Sequence, residues 1–192
     1  MFDLVTVFHN DRNHKQAKQL EADLHFHADA DYVLWNVDNR EENRGFSKGS
    51  NLGASWGSQP FIGFLNPDSQ VSGPLLSPVL RSFQDENVVI TGERFNKPQS
   101  ELRTWGVRDW VCGACFFVRR SFWEEAGGFD EQFVWGWEET DLIRYAEISG
   151  RCVRSISLPV YHESPQEETQ EDFAYKRKHF AEGAALFYRK WR

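Results

Sequence analysis

The chain has 192 residues, 40% of them hydrophobic and 27% charged, with a formal net charge of −7. That length suits one domain able to bury about two-thirds of the surface its unfolded chain would expose. The negative balance argues against coating nucleic acid, so no direct nucleic-acid binding is expected, and no apolar run nears the roughly 18 residues of a membrane span.

Taken in order, "FDLVTVF" predicts a first strand, "HNDRN" a polar loop and "HKQAKQLEADLHFH" a helix. The opening "MFDLVTVFHND" lacks the basic n-region of a secretory signal, so a cytoplasmic location is expected. "DYVLWNV" predicts a second strand ending at Asp38 and Asn39, and "PFIGFL" a third that runs straight into "NPDS". Between them "GFSKGSNLGASWGS" reads as a helix. Its Gly45, Gly49 and Gly53 recur every four residues, line one face and permit close approach of another backbone or a ligand.

"GPLLSPVLRSFQ" predicts a helix starting near its proline, and "NVVITG" a fourth strand. "FNKPQSELRTWGVR" has turn chemistry and no period, and reads as a loop or a weakly paired excursion. "DWVCGACFFVRR" predicts the next strand, and "SFWEEAGG" a short helix with Ser121 as N-cap and a glycine pair closing it. Cys112 and Cys115 form a C-x-x-C, but residues three apart on a strand point to opposite faces, which favours structural burial over metal or redox chemistry. With Cys152 the count is odd, and no disulfide framework follows.

The alternation of strand and helix predicts an α/β protein with a parallel sheet covered by helices. In such sheets ligands bind outside the carboxyl ends of the strands, which selects the loops at Phe8 to Asp11, Asp38 with Asn39, and Asn66 to Asp68. In "FVWGWEETDL", Phe133, Trp135 and Trp137 alternate as on a strand, whereas "EETDLIRYAEI" repeats at helical spacing. The acids Glu138, Glu139 and Asp141 thus sit at a junction, where they also suit a helix N-terminus. The basic and aromatic "YKRKHFAEGAALFYRKWR" predicts a docking helix with a solvated basic face, or a peripheral membrane contact. Residues 1–165 are expected to form the core, and 166–192 a C-terminal helical segment packing on it.

Together, "NRGFSKGSNLGAS", "FLNPDS", "WVCGACFFVRRSFWEEAGGFDEQFVWGWEETDL" and "YHES" resemble the inverting glycosyltransferases of family 2, including their rhamnosyltransferase-like branch. "GGFDEQFVWGWEETDL" also resembles the C-terminal catalytic motif of galactosyltransferases. The resemblance runs from about Leu4 to His162. It implies the GT-A fold, a Rossmann-like, mixed and mostly parallel sheet in a single domain. The implied activity is transfer of a sugar from a nucleotide-diphosphate sugar of UDP or dTDP type to a glycan, lipid-linked or other hydroxyl acceptor, assisted by Mn²⁺ or Mg²⁺. A non-catalytic carbohydrate- or nucleotide-sugar-binding domain is the alternative reading.

Residue by residue, the resemblance places Asp68 on the last acid of the family's D-x-D metal motif, with Asn66 where many members have the first acid. It places His162 on the late metal histidine. Phe8, His9 and Asn10 would flank the base, and Asp38, as a buried carboxylate, would accept its imide N–H. Arg44, Lys48 and Asn51 would approach the donor. "WEETDL" aligned with "GEDVDL" places Glu139 on the general base and Glu138 on the glutamate before it, with a Glu where the family usually has Asp. Trp110, Trp135, Trp137 and Asp141 would face the acceptor, with Trp135 and Trp137 as an apolar wall that raises the pKa of the base and stacks on a sugar face.

Overall fold

The computed structural model describes residues 1–95, 98–162 and 170–192. The expected boundary at 165 and the last two residues of "YHES" lie outside them. A six-stranded sheet is built from β1 (Phe2–Phe8), β2 (Tyr32–Asp38), β3 (Phe61–Leu65), β5 (Val88–Gly92), β6 (Cys115–Arg119) and β7 (Cys152–Ser155), in the order β2-β1-β3-β6-β5-β7. β1 pairs in parallel with β2 and β3, and β5 with β7, whereas β6 runs antiparallel to both of its neighbours. The sheet is therefore mixed and mostly parallel. The carboxyl ends of β1, β2, β3, β5 and β7 share one edge with the start of β6.

Alternation with period two assigns the two faces. Phe2 and Leu4 of β1 and Cys115 and Phe117 of β6 enter one core with Leu20 and Leu24 of α1 (Asp11–His27) and Val79 of α3 (Leu76–Ser82). Val5, Phe116 and Val118 enter the other, with Ala54 of α2 (Gly45–Ser55), Phe122 of α5 (Arg120–Ala126) and Ile143 of α6 (Glu138–Ile148). The glycine face of α2 does lie against the sheet. A Cβ on Gly53 would meet Val5 at 2.4 Å and Val37 at 2.8 Å, and one on Gly49 would meet Val7 at 2.7 Å.

At the opposite, amino-terminal edge the buried Asp3 is held by Arg120 at 2.7 Å, the Trp35 indole N–H at 2.9 Å and the Gln59 backbone N–H at 2.7 Å. Arg120 also donates to the Gln59 and Ala54 carbonyls. The ion pair is thus fully hydrogen-bonded, as a buried charge must be.

Four expectations are corrected. The segment read as a loop contains α4 (Gln99–Trp105), closed by Gly106 at φ +70° and anchored by the buried Leu102. At seven residues it is too short for a period to emerge from the sequence, and tertiary packing stabilises it. β6 begins only at Cys115, because Cys112 to Cys115 form a tight turn in which the Cys115 N–H donates to the Cys112 carbonyl. The two cysteines therefore flank a turn and do not sit on opposite strand faces; Cys115 is buried, and burial pushes its thiol well above the usual range. Ser121 is not an N-cap. α5 leaves β6 directly through Arg119, with no side-chain cap, since the backbone N–H of Arg120 already donates to Pro60. Residues 133 to 137 form no strand but a bend with Gly136 at φ +74° and Trp137 at φ +79°.

Two strands, β4 (Ser69–Val71) and β7, and the pairing of β4 with β8 (Val160–His162) have no counterpart in the sequence analysis. β4 pairs antiparallel with β8 as a separate two-stranded ribbon, with Ser69 opposite His162. The last element, α7 (Gln170–Lys190), lies with Gly183 and Phe187 against Trp137.

Candidate active site

The site grows from the shared sheet edge. Beyond β3 the chain turns at "NPDS", where the Ser69 N–H donates to the Asn66 carbonyl and the Asn66 N–H to the Ala114 carbonyl. The ribbon then brings His162 back beside this turn. His162 Nε2 lies 3.2 Å from Asp68 Oδ1 and 3.3 Å from Asn66 Nδ2. Glu93 fixes the returning chain: one carboxylate oxygen accepts the Leu158 N–H, and the other accepts those of Arg94 and Phe95, whose ring lies 5.8 Å from that of His162.

Asp68 and His162 are each partly exposed, at 20% and 27% of the side chain. A carboxylate and an imidazole side by side and open to solvent suit a borderline-hard divalent ion. No group of three or more His, Cys, Asp and Glu occurs among the described residues. These two side chains fit an ion whose remaining positions are filled by a ligand and water.

A cavity of about 260 Å³ adjoins this pair. Asn66 and His162 line it, together with Glu138, Glu139, Trp110, Trp135 and Trp137, so most of the residues proposed for metal, base and acceptor meet around one space. Phe46, Trp105, Thr140 and Phe180, which the sequence did not single out, also line it, as does Cys112, expected there only to be structural. Trp105 belongs to the helix missed there, and Phe180 to α7. Thr140 Oγ1 accepts the Trp110 indole N–H at 3.0 Å, which fixes that ring over the first turn of α6.

Glu138 and Glu139 open α6 and are only 5% and 9% exposed. Burial, then the adjacent Glu139 charge, raise Glu138 well above the ordinary carboxylate range, although backbone N–H groups of Glu138 and Gly136 oppose the shift. Glu138 Oε2 is buried and has no hydrogen-bond partner among the described residues. The left-handed backbone of Trp137 costs about 1–3 kcal/mol for a residue with a side chain. Packing against Trp105, Phe187 and Tyr188 holds it there.

Asp141 does not join this group. It faces a second cavity, where Lys190 donates to Asp141 Oδ2 at 2.9 Å and to Asp130 Oδ2 at 2.8 Å, and the Trp191 indole to Asp141 Oδ1 at 2.8 Å. Burial raises Asp141 although Lys190 pulls it down. Lys190 is itself raised, because the two carboxylates outweigh its own burial. One ammonium shared between two acids leaves the more buried acid under-compensated.

At the first two strand ends, Phe8 is the register partner of Asp38. The Phe8 ring stacks on His14 at 5.0 Å, His9 is exposed, and Asn10 caps α1 by accepting the Asn13 N–H. Asp38 is exposed rather than buried as expected. Its carboxylate takes Nε and Nη2 of Arg40, which also reaches Asp11, and these bonds lower its pKa to about 2. Arg44 is bonded to Glu42 and Asn39, and Lys48 is exposed on α2. Asn51 is removed from the donor group: its amide donates to the Phe129 carbonyl and Glu131 and accepts the Phe129 N–H, tying α2 to the segment before the acids. Ser47, donating to the Phe133 carbonyl at 2.7 Å, does the same.

The sequence model of the family described as Glycosyl transferase family 2 matches residues 22–148. No curated protein matches the chain. Among solved structures, a mannosyltransferase from Pyrobaculum calidifontis, PcManGT, in complex with GDP-Man and Mn²⁺, superposes with a TM-score of 0.67 at 15% identity, over 96% of this chain and 64% of that one. S. aureus TarS superposes with a TM-score of 0.63 at 14% identity, over 95% and 42%. Its residues 1–349 in complex with UDP-GlcNAc give 0.64 at 13% identity, over 87% and 59%. At such identities the likeness is one of fold, and this chain spans less than two-thirds of each of those proteins.

Proposed function

Since the chain belongs to glycosyl transferase family 2, we propose that it is a glycosyltransferase moving a sugar, with inversion, from a nucleotide-diphosphate sugar to an acceptor hydroxyl. The observation that carries this reading is the meeting of the buried Glu138–Glu139 pair with Asn66 and His162 around one cavity, with Asp68 bonded to His162 behind it. The fold neighbours in complex with GDP-Man and Mn²⁺ or with UDP-GlcNAc support a nucleotide-sugar donor.

In this reading the nucleotide, of UDP or dTDP type, lies along Phe8, His9, Asn10 and Asp38, and Asp38 reads the base after exchanging part of its Arg40 contact for a ring N–H. Arg44 and Lys48 stand on the neighbouring helix as cations for the donor. Asp68 and His162 hold a divalent ion, Mn²⁺ or Mg²⁺. When bound, it neutralises charge developing on the departing diphosphate. Asn66 offers its amide to a sugar or ribose hydroxyl.

On the opposite wall Glu139 takes the proton of the acceptor hydroxyl as the new bond forms, which is worth about 10²–10⁴-fold. Glu138 holds an acceptor hydroxyl beside it, and Trp110, Trp135 and Trp137 wall the space. The outer side of α7, with Arg177, Lys178 and Arg189 exposed, supplies a face for an anionic membrane surface.

Titration with free nucleoside diphosphates, with and without Mn²⁺, tests the reading. The parent protein should bind a nucleoside diphosphate only with the ion, and Asp68→Ala should lose that dependence while keeping its thermal transition. Ion-dependent binding that survives in Asp68→Ala would remove Asp68 from the site.

A further inference from the structure

The reaction assigned above leaves the class of acceptor open, and the cavity wall bears on it. The wall is aromatic and acidic. Two carboxylates line it, Glu138 and Glu139, both nearly buried, and no lysine or arginine is among its lining residues. Glu138 already carries a buried carboxyl oxygen with no partner among the described residues, and its burial beside Glu139 is costly for one more negative charge. A phosphate, sulfate or uronate brought to this wall would face like charge in a low-dielectric setting. Opposing charges of one sign cost several kcal/mol at an interface.

The side of the cavity that meets solvent has a different character. Trp135 is 37% exposed and Phe180 45% exposed, and their rings meet at 6.3 Å with an interplanar angle of 60°. Large aromatics left open together at the mouth of a cavity mark a binding surface. The turn beneath them is pressed onto α7, since a Cβ on Gly136 would lie 3.1 Å from the Phe180 ring. Lys176 lies 5.4 Å from the Trp135 ring centroid, a cation–π contact that holds the indole in place.

We infer that the acceptor is an uncharged saccharide whose terminal ring stacks on the Trp135–Phe180 corner, so that α7 supplies part of the acceptor subsite. The inference rests on the glycosyl-transfer reading. A pyranose ring offers an apolar C–H face to an aromatic ring and hydroxyls, which both donate and accept, to carboxylates. An anionic polymer offers neither advantage at this wall. Trp135 and Phe180 thereby become specificity-determining residues, and Phe180 reaches the site from a helix far along the chain from the acids.

The test is a calorimetric titration of the full chain, loaded with a nucleoside diphosphate and Mn²⁺, with neutral trisaccharides (chitotriose, maltotriose, xylotriose) and with anionic ones (trigalacturonate, oligomeric glycerol phosphate). At least one neutral trisaccharide should bind more tightly than every anionic probe. Trp135→Ala and Phe180→Ala should each weaken it about ten-fold, equivalent to about 1.4 kcal/mol, with nucleotide affinity and the thermal transition unchanged. Tighter binding of an anionic probe, affinity indifferent to both aromatic variants, or no binding by any neutral sugar overturns the inference. Failure of the underlying reading is distinct from these, since it would appear as absence of nucleoside diphosphate binding in the parent protein.

Discussion

Glu138→Gln should make the protein more stable and less active. Glu138 is 5% exposed, its Oε2 has no partner among the described residues, and its neighbour Glu139 is equally an acid. Replacing the carboxylate with an amide of the same shape removes the charge and lets the new N–H₂ donate to Glu139, turning a repulsion into a hydrogen bond. Relief of one unsatisfied buried polar group is worth about 1–3 kcal/mol. For a chain of this size that raises Tm by about 2–12 °C.

The effect has a defined pH dependence. Burial and then the Glu139 charge raise Glu138 above its ordinary value of 4.5, so the folded state binds this proton more tightly than the unfolded chain. Stability from this group is therefore fully present below the unfolded pKa and is lost as pH rises through the folded one. Thermal unfolding followed from about pH 5 to about pH 8 should show the parent losing stability relative to Glu138→Gln, with the gap widest at the alkaline end. A variant less stable than the parent at the alkaline end, or a gap independent of pH, would refute the account of this acid as buried against its charge.

Three further outcomes follow from the geometry. Glu139→Gln should lower kcat by at least about 10²-fold with nucleoside diphosphate affinity unchanged; steady-state kinetics beside a binding titration separate the two, and a parental kcat would reassign the base. Gly53→Ala should cost about 1–3 kcal/mol by overpacking against Val5 and Val37, despite the better helix propensity of alanine, and a urea midpoint at or above the parent's would contradict the packing of α2. Arg120→Met should cost about 3–5 kcal/mol by leaving the buried Asp3 with only its Trp35 and Gln59 donors, and a urea midpoint at the parental value would show the pair to be dispensable.

Much of this architecture was legible in the sequence because apolar period and glycine placement carry it. β1, β3 and β5 are short apolar runs bounded by turn residues, and the every-fourth glycines of α2 announce a close approach that Val5, Val7 and Val37 fulfil. The neighbourhood of Asn66, Asp68 and His162 was legible only through family resemblance. Their meeting depends on a three-residue ribbon too short to declare itself by alternation. α4 was lost for the same reason of length, and with it Trp105. Phe180 carried no signal, since an aromatic residue on a basic helix looks alike whether it faces solvent or a cavity. Asp141 and Asn51 were misplaced because sequence spacing sets which face of a helix a residue occupies, but not which neighbour has already claimed its polar atoms.

The ribbon of Ser69–Val71 with Val160–His162 has a consequence for motion. A ladder of three residues is marginal by itself and belongs to the parts of a protein that open most readily, by local unfolding rather than global. Yet, among the described residues, this ladder and the Ser72 N–H donated to the Pro159 carbonyl are what hold His162 opposite Ser69, the residue after Asp68. Whatever bridges Asp68 and His162 also clips together two segments distant in the chain, and lengthens the closed lifetime of the ribbon by mass action. Amide exchange at Ser72, whose N–H donates to the Pro159 carbonyl across the ribbon, thus becomes a reporter of occupancy at a site it does not touch, slowing as the bridge forms while the central strands β1 and β6 exchange as before.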